Sequence, residues 1–176
     1  MSHPREPEPA KIISSLFSPE RECIERVITH LSGIYGPVDW LSPELFFDRT
    51  RYYAREMGWP LYRRFISFER LVPPDRIVEI KLKTNEIEGQ YLREGNRGIN
   101  IDPGYISAER LILATGKNYV HRVYLSKGIY ADLTLVFQKG SFKPVAWTYP
   151  DYADPEVIGY LNGVRKRYME QLKSLP

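Results

Sequence analysis

At 176 residues, 43% hydrophobic and 27% charged, the chain is long enough for one well-buried core and too apolar for general disorder. A formal charge of +3 is too small to imply nucleic acid by itself, and the lone Cys23 excludes an internal disulfide. No run approaches the roughly 20 apolar residues that span a bilayer, so a membrane partner is set aside and a cytoplasmic protein is expected.

Residues Ser2 to Pro9 hold three prolines and no apolar stretch of signal-peptide type. They read as a flexible arm over 1–10, followed by a single α+β domain over 11–176. Lys11 to Phe17 is an apolar strand pattern, and Ser18-Pro19 offers an N-cap and a first helical residue. Cys23, Ile24, Val27, Ile28 and Leu31 follow at helical spacing, with Gly33 and Gly36 as candidate stops and His30 off the stripe. Pro37 to Phe47 looks extended, with Pro43 confining part of it to an edge or bend. A short helical turn closed by Gly58 comes next.

From Arg49 to Arg70 there are six arginines against Glu56 and Glu69, interleaved with Tyr52, Tyr53, Trp59, Tyr62, Phe65 and Phe68. Such interleaving could stack bases and neutralise phosphates, with Tyr52, Tyr53, Arg63 and Arg64 as ligand contacts. It also fits a strand with its arginines in solvent. Pro73-Pro74-Asp75 marks a boundary, and Ile77, Ile80, Thr84 and Ile87 then keep a helical period to Gly89, although Val78, Ile80 and Leu82 also alternate as in a strand. A turn at 95–98 leads into a strand from Gly98. The order is the βαββαβ of a ferredoxin-like unit.

The second half, Leu111 to Trp147, reads as strands that extend or accompany this antiparallel sheet, followed by a C-terminal helix that packs on it. Ser126-Lys127-Gly128 is a three-residue hairpin loop. Pairing Leu125 with Ile129 sets Tyr124 opposite Tyr130 and Arg122 opposite Asp132. With Lys139-Gly140 as a two-residue turn, Phe137 faces Phe142 and Asp132 reaches Trp147. Arg122, Tyr124, Tyr130, Asp132, Thr134 and Trp147 then share one face, and Ala131, Leu133, Leu135 and Phe137 fill the other. In this register His121 opposes Leu133, away from Asp132, unless a bulge intervenes. After Asp154-Pro155 a helix carries Val157, Leu161, Val164, Tyr168 and Leu172 on one stripe, and Gly159 and Gly163 either permit close approach or weaken it.

Several blocks resemble a prokaryotic domain-of-unknown-function family, DUF 4416. They are Asp48-Arg49-Thr50-Arg51-Tyr52-Tyr53 with Glu56-Met57-Gly58, Phe65 to Glu69, Ile80 to Asn85, Asn100 to Tyr105, His121 to Leu125, Gly128 to Asp132, and Trp147-Thr148-Tyr149-Pro150-Asp151-Tyr152. The resemblance implies no activity to transfer; it implies a carboxylate, Asp or Glu, at position 132.

His3, His30 and His121 share no metal-ligand spacing, and no cofactor is implied. Asp48, Asp102, Asp132 and Asp151 could make an oxygen-only Mg²⁺ site, though such residues more often shape turns, as Asp102 before Pro103-Gly104 would. Gly116-Lys117 lacks the rest of a phosphate-binding loop, and no serine sits in a nucleophile elbow. Two functions remain. One is a module binding an anionic ligand, RNA or a nucleotide, through Tyr52, Tyr53, Arg63, Arg64, Lys117, Arg122, Tyr124, Tyr130 and Trp147. The other is a small enzyme on a phosphorylated or nucleotide substrate, with Asp102, His121 or Asp132 as acid or base.

Overall fold

The computed structural model describes residues 1–47 and 51–176. The first strand, β1 (Ala10–Ser18), is buried along its whole length because both faces of the sheet are covered there. It runs on to Ser18, which is therefore not a helix cap: its hydroxyl donates to the Gly98 carbonyl at 2.7 Å and accepts from the Glu20 amide. Helix α1 (Arg21–Tyr35) starts after Glu20 and stops at Gly36, whose φ of 93° suits glycine. The extended segment breaks at Ser42-Pro43 into two short edge strands, β2 (Val38–Leu41) and β3 (Leu45–Phe46). The helical turn is α2 (Ala54–Met57), and the aromatic and arginine stretch is β4 (Tyr62–Val72).

After a 3-10 turn at Pro74–Arg76, the helical period prevails as α3 (Ile77–Gln90). A small ribbon, β5 (Leu92–Arg93) and β6 (Asn96–Arg97), leads to β7 (Asn100–Ile106), β8 (Arg110–Thr115), β9 (Arg122–Ser126), β10 (Ile129–Gln138) and β11 (Ser141–Pro144). Helix α4 (Pro155–Lys173) is capped by Asp154, which accepts from the Glu156 amide at 2.9 Å.

The main sheet runs β11-β10-β8-β7-β1-β4-β2, every pair antiparallel, with β9 on β10 and β3 on β4. Ile12 and Leu16 pack with Cys23, Val27 and Leu31 of α1 and with Ile77, Ile80 and Ile87 of α3. On the opposite face Ile13, Phe65, Leu111 and Leu135 pack with Val157, Leu161, Val164 and Tyr168 of α4. Each such fully buried side chain contributes about 1.5–3 kcal/mol. The chain is thus α+β, with a large antiparallel sheet and a C-terminal helix. Among the described residues no helix is long and apolar enough to cross a membrane.

Two further sequence expectations fail for physical reasons. Asp102-Pro103-Gly104 is not a turn but the middle of β7, pairing with Ser15, Ser14 and Ile13. Gly104 is there for space: a Cβ would stand 2.4 Å from the Ile112 carbonyl oxygen and 2.8 Å from Leu113 Cδ2. The single face expected along β10 also breaks, at a register shift between Leu133 and Leu135. Ile129 packs beneath α1 and α3, whereas Leu135 and Phe137 pack beneath α4.

A Cβ at Gly159 or Gly163 would meet nothing within 4 Å, so neither glycine serves a close approach. Gly163→Ala is therefore expected to raise stability by about 0.5–1 kcal/mol. Gly104→Ala is expected to lower it by about 1–3 kcal/mol or more, because backbone must move. Urea denaturation of both variants checks the pair.

A further expectation concerns alkaline pH. Burial pushes the phenols of Tyr35, Tyr53 and Tyr168 up to about 12. Unfolded tyrosines ionise near about 10. A raised folded pKa contributes stability that is present below about 10 and lost as pH rises toward the folded value. Buried Lys11, held below its usual value first by desolvation, works in the other direction. The net expectation is a melting temperature that falls between about pH 10 and 12, together with late tyrosinate absorbance. Normal titration of every tyrosine in the folded protein would contradict it.

Candidate functional site

Beyond the end of α4, the polar side chains of one sheet face gather under two loops. Arg122 of β9 and Asp132 of β10 stand opposite each other, as expected, with Nε donating to Oδ2 at 2.8 Å. Nη1 donates to the Lys117 carbonyl at 2.9 Å, and Nη2 to the Tyr149 hydroxyl at 2.8 Å. Burial opposes the charge of Arg122, but Asp132 and Tyr149 more than offset this and hold the guanidinium more basic than usual. The expected pair of Leu125 with Ile129 is replaced by Ser126 with Ile129; the irregularity is absorbed before Tyr130, so the pairs further along survive.

His121 corrects the strand reading. It precedes β9, so strand alternation does not govern it, and its Nε2 lies 3.3 Å from Asp132 Oδ2. Its ring stacks on Trp147 at 5.0 Å between centroids and 12° between planes, with Tyr119 at its edge. Trp147 arrives by the loop after β11 and is fixed by Nε1 donating to the Leu133 carbonyl at 2.7 Å. Tyr124 and Tyr130 meet edge to face at 5.3 Å, further out on the hairpin.

Arg63 and Arg64 lie elsewhere than a ligand surface would place them. Arg63 is 3% exposed, ion-paired with Asp151, and donates from Nε to Ser15 Oγ at 2.8 Å. Its guanidinium lies 4.4 Å from the Phe65 ring centre. Burial again opposes charge, and Asp151 wins, keeping Arg63 above the usual arginine value. Arg64 donates to the Ser42 carbonyl at 2.7 Å. Arg63 is thus buried and Arg64 half-buried against backbone, so the two are not offered to a ligand as a pair, while Arg70 at the far end of β4 is in solvent as the strand reading expects.

Tyr52 and Tyr53 border the site: the Lys117 ammonium lies 5.7 Å from the Tyr52 ring centre, and the Tyr53 phenol feels both Asp102 and Tyr149. Asp102 accepts from Asn100 Nδ2 at 2.7 Å. Behind it, Arg97 grips Glu56 with two bonds of 2.7 and 2.8 Å, holding the Glu56 carboxyl below its usual value.

The structure therefore brings together Tyr52, Tyr53, Asp102, Lys117, His121, Arg122, Asp132 and Trp147. It sets Tyr124 and Tyr130 at the margin and Arg63 and Arg64 apart. Reading the sequence by residue type missed Tyr119 and Tyr149 as site residues, and Asp151 as the partner of Arg63. Their only signal was position, inside or beside the blocks that resemble the family. Of the carboxylates considered for Mg²⁺, Asp48 lies outside the described residues, Asp132 and Asp151 are engaged by arginines, and no metal-competent cluster of three or more occurs among the described residues.

A family model described as Domain of unknown function (DUF4416) matches residues 8–168. No curated protein matches, and no solved structure matches.

Proposed function

The chain belongs to the DUF4416 family, and on that premise we propose that its site binds a nucleotide, free or within an RNA strand. The carrying observation is the convergence of Lys117 and Arg122 with the rings of Tyr119, Trp147 and Tyr149, which are 63%, 40% and 50% exposed. Cations beside exposed aromatic rings, one face of Trp147 being covered by His121, suit a phosphate and a stacked base. Arg122 is committed to Asp132, so Lys117 is the principal phosphate contact and Arg122 orients Tyr149. Titration calorimetry with nucleoside monophosphates and a short oligoribonucleotide tests the reading. Saturable binding that weakens with salt is expected, and Lys117→Ala should reduce affinity on the order of tenfold. No saturable binding of any of these ligands would sink it.

A second reading is favoured by the contact of His121 with Asp132. In the tautomer with its proton on Nε2, His121 donates to Asp132, leaving Nδ1 to act as a base on a phosphorylated or nucleotide substrate. Turnover by the wild type that His121→Gln abolishes, with nucleotide affinity retained, would support it. A wild type that binds nucleotides and converts none of them would remove it.

We also read the first half as a ferredoxin-like βαββαβ unit. Supporting this, β7-β1-β4-β2 gives the order fourth, first, third, second, with α1 and α3 on one face. The single-domain reading is supported by ties between the two ends of the chain, such as Lys11 Nζ to Gln171 at 2.7 Å.

A further inference from the structure

We propose that the opening between β7 and β8 is a sugar subsite, where Asp102 accepts from ribose hydroxyl groups; this rests on the nucleotide reading above. The two strands pair only from Gly104 to Ile106, so Asn100 to Asp102 have no partner on that side. Buried backbone groups need partners, and α3 supplies them through the gap. The Ile101 amide donates to Glu88 Oε1 at 2.6 Å, and its carbonyl accepts from Lys81 Nζ at 3.1 Å. A lysine of the opposite layer therefore brings its ammonium into the plane of the sheet.

That ammonium stands 3.9 Å from Asp102 Oδ1, too far for a hydrogen bond, and has protons to spare after Ile101. Asp102 is held in place by its other oxygen. Arg97 Nη1 donates to Asn100 Oδ1 at 2.8 Å, which turns Asn100 Nδ2 toward Asp102 Oδ2. The Asp102 side chain remains 36% exposed, against 10% for Lys81. A partly exposed carboxylate oxygen thus stands beside a nearly buried ammonium.

Asp102 repels an anion placed there, and Lys81 repels a cation. A hydroxyl donates to the first and accepts from the second, so it satisfies both. The Tyr53 phenol, which burial and Asp102 keep protonated to about 12, adds another neutral hydroxyl to the wall. The Tyr53 ring lies 5.7 Å from the Arg97 guanidinium and 5.0 Å from the Tyr52 ring, which is itself 5.7 Å from the Lys117 ammonium, so the opening adjoins the cation assigned to the phosphate.

The test is calorimetric titration of AMP, 2′-deoxy-AMP and 3′-deoxy-AMP into the wild type and Asp102→Ala. In the wild type, loss of a contacting hydroxyl should weaken binding at least tenfold. Asp102→Ala should bind all three alike, near the weaker affinity. Equal binding of the three by the wild type overturns the sugar subsite and leaves the nucleotide reading standing. Binding of none overturns the subsite, and the nucleotide reading with it when the oligoribonucleotide also fails to bind. If Asp102→Ala does not fold, the wild-type comparison decides alone.

Discussion

Asp151→Asn is expected to destabilise the fold by about 3–5 kcal/mol, because it strands a buried guanidinium. The Arg63 side chain is 4% exposed and Asp151 is its only ion-pair partner among the described residues. Ser15 Oγ and the rings around it can accept hydrogen bonds and offer cation–π contact, but cannot neutralise it. In a chain of this size, each kcal/mol moves the melting temperature by about 2–4 °C, so the loss should exceed roughly 6 °C. The pair as a whole contributes far less than either half suggests. Replacing both residues together, Arg63→Met with Asp151→Leu, removes the charge and its partner at once and should recover most of the loss. A double variant as unstable as Asp151→Asn would show that Arg63 is held by something other than charge.

Asp132→Asn should lower stability by about 3 kcal/mol, because it breaks a second nearly buried pair. The two side chains, Arg122 and Asp132, are 9% and 5% exposed. The effect should be smaller than at Asp151, since Arg122 keeps its bonds to the Lys117 carbonyl and Tyr149. A loss of melting temperature at this position therefore does not count against catalysis: Asp132 anchors the fold whether or not it also orients His121. His121→Gln separates the two roles, because it removes the base and leaves the Arg122–Asp132 pair intact. A fully stable Asp132→Asn would contradict the structural role.

Elements governed by local periodicity were legible from the residues. The stripe of α1, the capped start of α4 and the pairs Tyr124–Tyr130, Arg122–Asp132 and Phe137–Phe142 all follow from spacing and turn chemistry. What escaped depends on contacts distant in sequence. Asp102-Pro103-Gly104 has turn chemistry, yet the close passage of the Ile112 carbonyl requires glycine within a strand. The bulge near Thr134 is set by pairing with β8, which no residue of β10 announces. His121 was assigned by strand alternation to the wrong face because the strand begins one residue later. Arg63 looked like a surface cation among arginines; only the return of Asp151 from the loop before α4 makes its burial possible.

The measurement that bears most directly on the nucleotide reading is amide chemical-shift mapping of the wild-type protein titrated with AMP. Saturating shifts confined to residues 51–53, 100–102, 115–122 and 147–149 are predicted, with those at 115–122 lost in Lys117→Ala. Shifts centred on another face of the sheet, or a spectrum unchanged at millimolar AMP, would contradict it.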